Sequence, residues 1–302
     1  MRPTIGVTGV TGHVGGLVAR ALVQDDRSLR FIVRDAARVP DFATDGAIGG
    51  PDTAGSRADT PAGIPADISI GVTEYRHAHA GRRALEGVDV LFMVSAAESP
   101  DRVAEHVQFI QSAVEAGVSH IVYTSFTGAG PHASFTLARD HGDTEDVLRA
   151  SGLDYTFLRD NFYLDLLPQW ADENGVIRGP AGDGQIAAVA RADVADVAVA
   201  VLRDPAAHRN AVYALTGGET VTFADVARRT AAATGRTITF VNETVDEAYA
   251  SRAVYNAPAF MVDAWVSTYT GIRDGELAAI SPDVKRVTGH APRTLEDVLA
   301  GR

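Results

Sequence analysis

The chemistry-bearing residues nearest the N-terminus form the run Thr8-Gly9-Val10-Thr11-Gly12-His13-Val14-Gly15, with glycines at spacing three and three. Each glycine has a physical use: a tight turn at Gly9, close backbone approach to a pyrophosphate at Gly12, and close helix-to-strand packing at Gly15. The run follows a strand-like stretch, Thr4 to Thr8, and precedes a helical pattern with Val14, Leu17, Val18, Ala21 and Leu22 on one side. A glycine triplet alone is a weak signal. In this context it predicts a dinucleotide whose phosphates sit on a helix N-terminus, in preference to a purely structural turn.

The second strand ends Phe31-Ile32-Val33-Arg34, with Arg38 four residues on, where dinucleotide folds that choose a ribose hydroxyl carry Asp or Glu. A guanidinium facing a 2'-phosphate favours NADPH, with NADH possible; the other reading makes both arginines solvated loop cations.

Short-chain dehydrogenases place a Ser at the end of the fifth strand and Tyr-x-x-x-Lys on the next helix, where the Tyr acts as acid or base. Ser125 fits the first position, while the slot for the couple falls on Leu137 and His141. Without that couple, the easier reaction is hydride delivery to an electrophilic acceptor such as a quinone, whose reduced anion takes its proton from water. For His141 two readings stand: a proton donor or ligand of a substrate oxygen, and an ordinary surface histidine of the helix. His77 and His79 lack a third ligand nearby, so no metal site is expected, and there is no Gly-x-Ser-x-Gly to support hydrolysis. Phe162, Tyr163, Trp265 and Tyr269 suit either an aromatic pocket or plain core.

Positioning these residues requires regular elements. Strand-like runs occur at Thr4 to Thr8, Leu29 to Val33, Ile68 to Val72, Val88 to Ser95, His120 to Ser125 and Asp154 to Leu158, with helical periods at Val14 to Gln24, Arg102 to Ala116 and Arg139 to Ala150. Such alternation predicts an α/β fold, a Rossmann-type doubly wound parallel sheet over residues 1–160. Residues 161–302 are expected to form a smaller C-terminal α/β lobe for substrate, interleaved with the sheet. Its helices are read from Asp193 to Leu202, from the Thr222 cap to about Thr234, and over the remaining chain with Trp265 and Tyr269 one turn apart; one strand is read as ended by Gly217-Gly218 and a further one from Thr237 to Val241. The stretch from Pro40 to Asp67, rich in Gly, Pro, Ala and Asp, has neither period and is read as an inserted loop, expected to be disordered.

Composition narrows the partners. The net charge of −12 opposes binding to nucleic acid or an anionic membrane surface. With no cysteine, disulfides, thiolate catalysis and Cys-ligated metals are excluded. No apolar stretch approaches the ~20 residues of a membrane span, and Met1-Arg2-Pro3 runs directly into the first strand, so a cytoplasmic location is expected.

The residues together resemble the NmrA-like atypical short-chain dehydrogenases, and among them the type 2 NAD(P)H:quinone oxidoreductases. The landmarks are the glycine run, Val33-Arg34-Asp35, Phe92-Met93-Val94-Ser95-Ala96-Ala97-Glu98, Tyr123-Thr124-Ser125, His141-x-x-Thr144-Glu145, Leu158-Arg159-x-Asn161-x-Tyr163, and Gly182-Asp183-Gly184 followed by Arg191-x-Asp193. The resemblance implies that Gly9, Thr11, Gly12, His13 and Val14 hold the pyrophosphate, Arg34 the adenosine phosphate, and Ser95, Ala96 and Ala97 the middle of the cofactor. It implies that Thr124, Ser125, His141 and Asn161 approach the nicotinamide, and that Phe126, Phe162 and Tyr163 face the acceptor. It also favours the functional reading of His141. Two departures, the 40–67 insert and His77 where the family carries Asp, lie on the adenosine side. The expected function is NADPH-dependent hydride transfer to a quinone or similar conjugated carbonyl, an aromatic or quinonoid small molecule, with His141, Ser125 and Tyr163 as candidate catalytic residues. The alternatives are a non-catalytic redox sensor, and a keto or enoyl reductase dedicated to one metabolite with His141 or Tyr163 as its acid. An oligomer is compatible with all three.

Overall fold

The computed structural model describes residues 3–25, 27–40 and 68–302, so nearly all of the 40–67 segment lies outside the described residues. The first half runs β1 (Ile5–Thr8), α1 (His13–Val23), β2 (Leu29–Val33), β3 (Ile68–Val72), α2 (Ala78–Leu85), β4 (Val90–Met93), α3 (Arg102–Ala116), β5 (His120–Phe126), α4 (Thr136–Ala150) and β6 (Asp154–Asp160). Then come β7 (Val176–Gly179), α5 (Arg191–Arg203), β8 (Ala211–Leu215), α6 (Phe223–Thr234), β9 (Thr239–Asn242), α7 (Val245–Arg252), α8 (Ala259–Arg273), α9 (Asp283–Thr288) and α10 (Leu295–Leu299).

Seven parallel strands form the main sheet in the order β3-β2-β1-β4-β5-β6-β8. The order reverses between β1 and β4, which opens a crevice at the carboxyl ends of the strands, where doubly wound sheets bind ligands. β1, β4 and β5 are buried along their whole length, as a central strand covered on both faces must be. Helices α1 and α5 share one face of the sheet with a core that includes Val7, Val18, Leu22, Val194 and Val201; α2, α3 and α4 cover the other around Leu85, Phe109, Tyr123 and Phe157.

The chain beyond residue 160 divides its elements between two bodies. α5 and β8 return to the main sheet, while α6, α7, α8, α10 and the two-stranded parallel pair β7-β9 gather around a second core containing Phe126, Phe135, Ile177, Phe223 and Ile272. Because Phe126 and Phe135 flank the end of β5 and the start of α4, this second core is continuous with the carboxyl edge of the sheet. Thr222, Thr244 and Thr294 each form a capping box at the start of α6, α7 and α10, satisfying first-turn N–H groups that would otherwise lack partners.

Candidate functional site

The turn after β1 has the backbone its glycines predict. Gly9 adopts φ +66°, the left-handed region that favours glycine, and its carbonyl accepts the Gly12 N–H at 2.8 Å. A Cβ on Gly12 would stand 3.3 Å from that same oxygen, and one on Gly15 only 2.3 Å away. Gly12 is the N-cap of α1 and supplies no side-chain acceptor, which leaves first-turn N–H groups for an anion. Thr11, Gly12 and His13 are exposed, whereas the Val14 side chain is buried and offers only its backbone. Arg34 and Arg38 stand exposed beyond β2, free of ion pairs among the described residues; Asp35 is occupied in capping the turn at Ala37.

The segment after β4 is held by a buried polar network. Thr8 Oγ1 donates to Phe92 O at 3.1 Å and accepts from Val94 N and from the Tyr75 hydroxyl, both at 2.8 Å. Ser95 N–H donates to Thr124 Oγ1 and Ala96 N–H to His106 Nε2, each at 2.8 Å. His106 therefore keeps its proton on Nδ1, directed at Thr144 Oγ1, whose own proton goes to Asp140 O. Burial, and then the Arg102 charge, push His106 down to about 3. Arg102 itself donates through Nε to Ala96 O, places Nη2 3.0 Å from His141 Nε2, and faces Asp140 at 3.5 Å.

A guanidinium can only donate, so His141 Nε2 accepts from Arg102, and the remaining proton sits on Nδ1, 2.9 Å from the Tyr123 hydroxyl. Burial first, then Arg102 and His106, hold the imidazole well below its usual range. His141 is not a surface histidine: it is 6 % exposed and neutral. In this arrangement both ring nitrogens are engaged within the protein, Nε2 by Arg102 and Nδ1 by Tyr123.

A cavity of about 860 Å³ opens at the carboxyl edge of β4, β5 and β6, between the sheet and the second core. Ser95, Thr124, Ser125 and His141 line it on the sheet side, together with Leu137, which precedes His141 by one turn of α4. Aromatic side chains form much of the rest. Phe126 stands 5.0 Å from Phe162, Phe162 5.9 Å from Trp170, and Trp170 5.7 Å from Tyr269, as ring centroids. Trp265 and Tyr269 both line the cavity, and Tyr269 is at the same time a buried member of the second core. Ala96 and Ala97 follow Ser95 toward the rim and are not among the lining residues. Asn161 does line it, but its carboxamide is spent, donating to Leu277 O and accepting from Phe162 N.

Two buried carboxyl groups stand at this edge. Glu145 of α4 accepts from Ser125 Oγ at 2.6 Å, from Arg159 Nε and Nη2 at 2.8 and 2.6 Å, and from Arg149 Nη2 at 2.8 Å. Among the described residues the side chain of Asp160, the last residue of β6, has one partner: the Tyr163 hydroxyl donates to its Oδ2 at 2.9 Å, and its Oδ1, also buried, has none. Burial pushes the Asp160 carboxyl well above the usual carboxylate range, and the Tyr163 hydrogen bond offsets this only in part.

The sequence assigns no role to Arg102, His106, Tyr123 or Asp160, although Tyr123 belongs to one of the landmark runs. For Asp160 no local signal exists: the strand is read to end at Leu158, and an acid next to Arg159 passes for an ordinary loop charge. The three others are recognisable only through partners distant in sequence. His77 and His79 are exposed at the start of α2. Among the described residues one carboxylate and histidine cluster, Asp193, Asp196 and His290, has metal-like spacing, and there the Arg293 guanidinium bonds both carboxylates. No helix of the described residues is long and apolar enough to cross a membrane.

Residues 1–261 match the model of the NmrA-like family. The chain is 30% identical to the NAD(P)H azoreductase of Xenophilus azovorans over 96% of its length and 95% of the relative's. It is also 30% identical to quinone oxidoreductase 2 of Escherichia coli strain K12, over 98% of its length and 97% of the relative's. Among solved structures, an NADPH-dependent quinone oxidoreductase from Escherichia coli complexed with NADPH superposes with a TM-score of 0.82 at 29% identity, covering 98% of this chain and 99% of that one.

Proposed function

The chain belongs to the NmrA-like family, and from that premise we propose that it is an NADPH-dependent oxidoreductase that reduces a quinone or similar conjugated acceptor. The observation that carries this reading is the placement of the aromatic cavity. It begins at Ser95, Thr124 and Ser125, on the same edge of the sheet as the glycine turn, where a dinucleotide anchored at α1 and running over β4 would end. The turn suits a pyrophosphate on its own geometry, because Gly12 starts α1 without a side-chain cap and leaves first-turn N–H groups for an anion. A reduced nicotinamide bound there supplies hydride from its C4.

The protein's part is binding, orientation and exclusion of water. The first turn of α1 binds the phosphates, and the exposed Arg34 and Arg38 are suited to a 2'-phosphate. The Thr124, His106 and Arg102 bonds fix Ser95 and Ala96 against the sheet, so the cofactor would lie on a preset floor. Phe126, Phe162 and Trp170 offer ring faces and edges to a flat acceptor. The azoreductase and quinone oxidoreductase relatives support this reading in one respect: an azo group and a quinone are both conjugated and electrophilic.

The test follows NADPH consumption with a panel of quinones, beside calorimetric binding of NADPH. Wild type is expected to turn over, Gly12→Ala to bind NADPH at least about tenfold more weakly, and Arg34→Ala to lose preference for NADPH over NADH. A protein that binds NADPH tightly yet consumes none with any quinone refutes the reductase assignment and leaves a sensor or a dedicated tailoring enzyme.

A further inference from the structure

We propose that Asp160 and Tyr163 form a two-residue proton relay for the reduced acceptor, with Asp160 as the store and Tyr163 as the group that touches the acceptor. This rests on the reductase reading above and adds the source of the proton. The Asp160 backbone is fixed: it pairs with Phe126 across the β5-β6 ladder, and its carbonyl accepts Thr127 N–H at 2.8 Å. Its side chain is 3 % exposed and lines the cavity, as Tyr163 does. One carboxyl oxygen is 2.9 Å from the Tyr163 hydroxyl, and the other has no partner among the described residues. A buried carboxylate left so under-satisfied is costly, and a neutral carboxyl is the cheaper state.

The surrounding charges do not change this. Arg191, at the start of α5, stacks its guanidinium over the Tyr163 ring, 5.3 Å from the centroid, and makes no bond to Asp160. Asp165 lies behind Tyr163 and adds negative charge. From α3 and α4, Arg102 and His141 line the same cavity but are bonded to each other, and Glu98 is a further acid in the lining. Arg159, the neighbour on β6, is committed to Glu145. Burial raises Tyr163 well above its ordinary value as well, so a free tyrosinate is not an intermediate. The hydroxyl must receive a proton as it gives one up.

The step balances. Hydride, carrying two electrons, passes from the reduced nicotinamide to the acceptor, which is reduced while the nicotinamide is oxidised. With Asp160 neutral, its own O–H donates to the Tyr163 oxygen, the reverse of the bond made to a carboxylate, and the Tyr163 proton is turned to the acceptor; the Tyr163 O–H bond then breaks and its proton bonds to the acceptor's oxygen or nitrogen. The Asp160 O–H bond breaks in turn and its proton restores the Tyr163 hydroxyl. The Asp160 carboxylate then takes a proton from solvent.

The experiment uses the full chain, with NADPH and 1,4-naphthoquinone as probes, in wild type, Asp160→Asn and Tyr163→Phe. Asn has the shape of Asp and still accepts from Tyr163, and Phe keeps the ring. The expected kcat of wild type falls as pH rises through the Asp160 titration. Both variants lose that dependence and at least about tenfold in kcat, with NADPH dissociation constants within about twofold of wild type. Infrared spectra of the cofactor-free protein should show a protonated-carboxyl C=O band at neutral pH that Asp160→Asn removes. Absence of that band in wild type overturns the relay. So does an Asp160→Asn enzyme with wild-type kcat and pH profile, including one whose defect is confined to NADPH affinity. If the band is present and NADPH binds but no acceptor is reduced, it is the reductase reading that fails, and the relay falls with it for a separate reason.

Discussion

Asp160 lines the cavity and Glu145 stands behind it, bonded to the lining residue Ser125; both are almost fully buried, and the fold treats them in opposite ways. Glu145 meets two guanidinium groups, one of them in a two-pronged grip, and a serine hydroxyl, so its charge is matched where it lies. Asp160 meets one tyrosine hydroxyl and keeps an oxygen with no partner among the described residues. A carboxylate with enough donors ties elements together: here β5, β6 and α4 are joined through Ser125, Arg159 and Glu145. One without them is pushed toward its neutral form and becomes a proton store. The surroundings decide which group is structural and which can do chemistry.

The largest effect expected from breaking this contrast is on the paired side. Glu145→Ala would strand Arg159, leave Arg149 with Asp146 alone, and release Ser125. Removing one member of a buried ion pair costs about 3–5 kcal/mol; with both arginines partly exposed the lower end applies, about 3 kcal/mol, measurable by urea unfolding. A loss below about 1 kcal/mol would mean that Glu145 is not the tie described.

The next effect belongs to Asp160 and has a definite sign. Its folded-state pKa lies above its unfolded value, so between the two the native state holds a proton that the unfolded chain has released. Stability from this group is fully present below the unfolded pKa and is lost as pH rises toward the folded one, at about 1.4 kcal/mol per pH unit. Asp160→Asn removes that slope. The variant should therefore gain on wild type as pH is raised from about 4, in parallel thermal melts of the two proteins. Curves that stay parallel would show that Asp160 titrates normally.

How much of this was legible in the sequence depended on the range of the interactions. β1, β2, β3 and β5 are short β-branched runs whose pattern is local, and each falls within a residue or so of the reading. α2 was not read, because its eight residues bury only Gly81, Ala84 and Leu85, and a glycine packed against Ser112 gives no periodic signal. α4 begins at Thr136 rather than Arg139, which brings Leu137 to the cavity wall. β7 pairs only with β9, more than sixty residues away, so nothing local marks Val176–Gly179 as a strand. In the site, the glycine turn and Ser125 were visible because a backbone conformation or a strand end requires them. The state of His141 was not, since it depends on Arg102 and Tyr123, brought in from α3 and β5 by the fold.

The smallest expected effect separates the two carboxyl groups at the level of chemistry. Ser125 was a candidate catalytic residue and lines the cavity, but its proton is directed at Glu145 Oε1, 2.6 Å away. Ser125→Ala would take one of four donors from Glu145 and leave three charged ones in place, so the stability loss should be near the net value of one hydrogen bond, about 1 kcal/mol. If Ser125 acts only by holding that tie, kcat with a quinone should fall by less than about tenfold, roughly 1.4 kcal/mol, and the pH profile set by Asp160 should be unchanged. Steady-state kinetics across pH decides the matter. A larger loss with the profile intact would make Ser125 a direct participant. A profile shifted by Ser125→Ala would mean that the two carboxyl groups are coupled across β5 and β6, and that the division between a structural carboxyl and a chemical one does not hold.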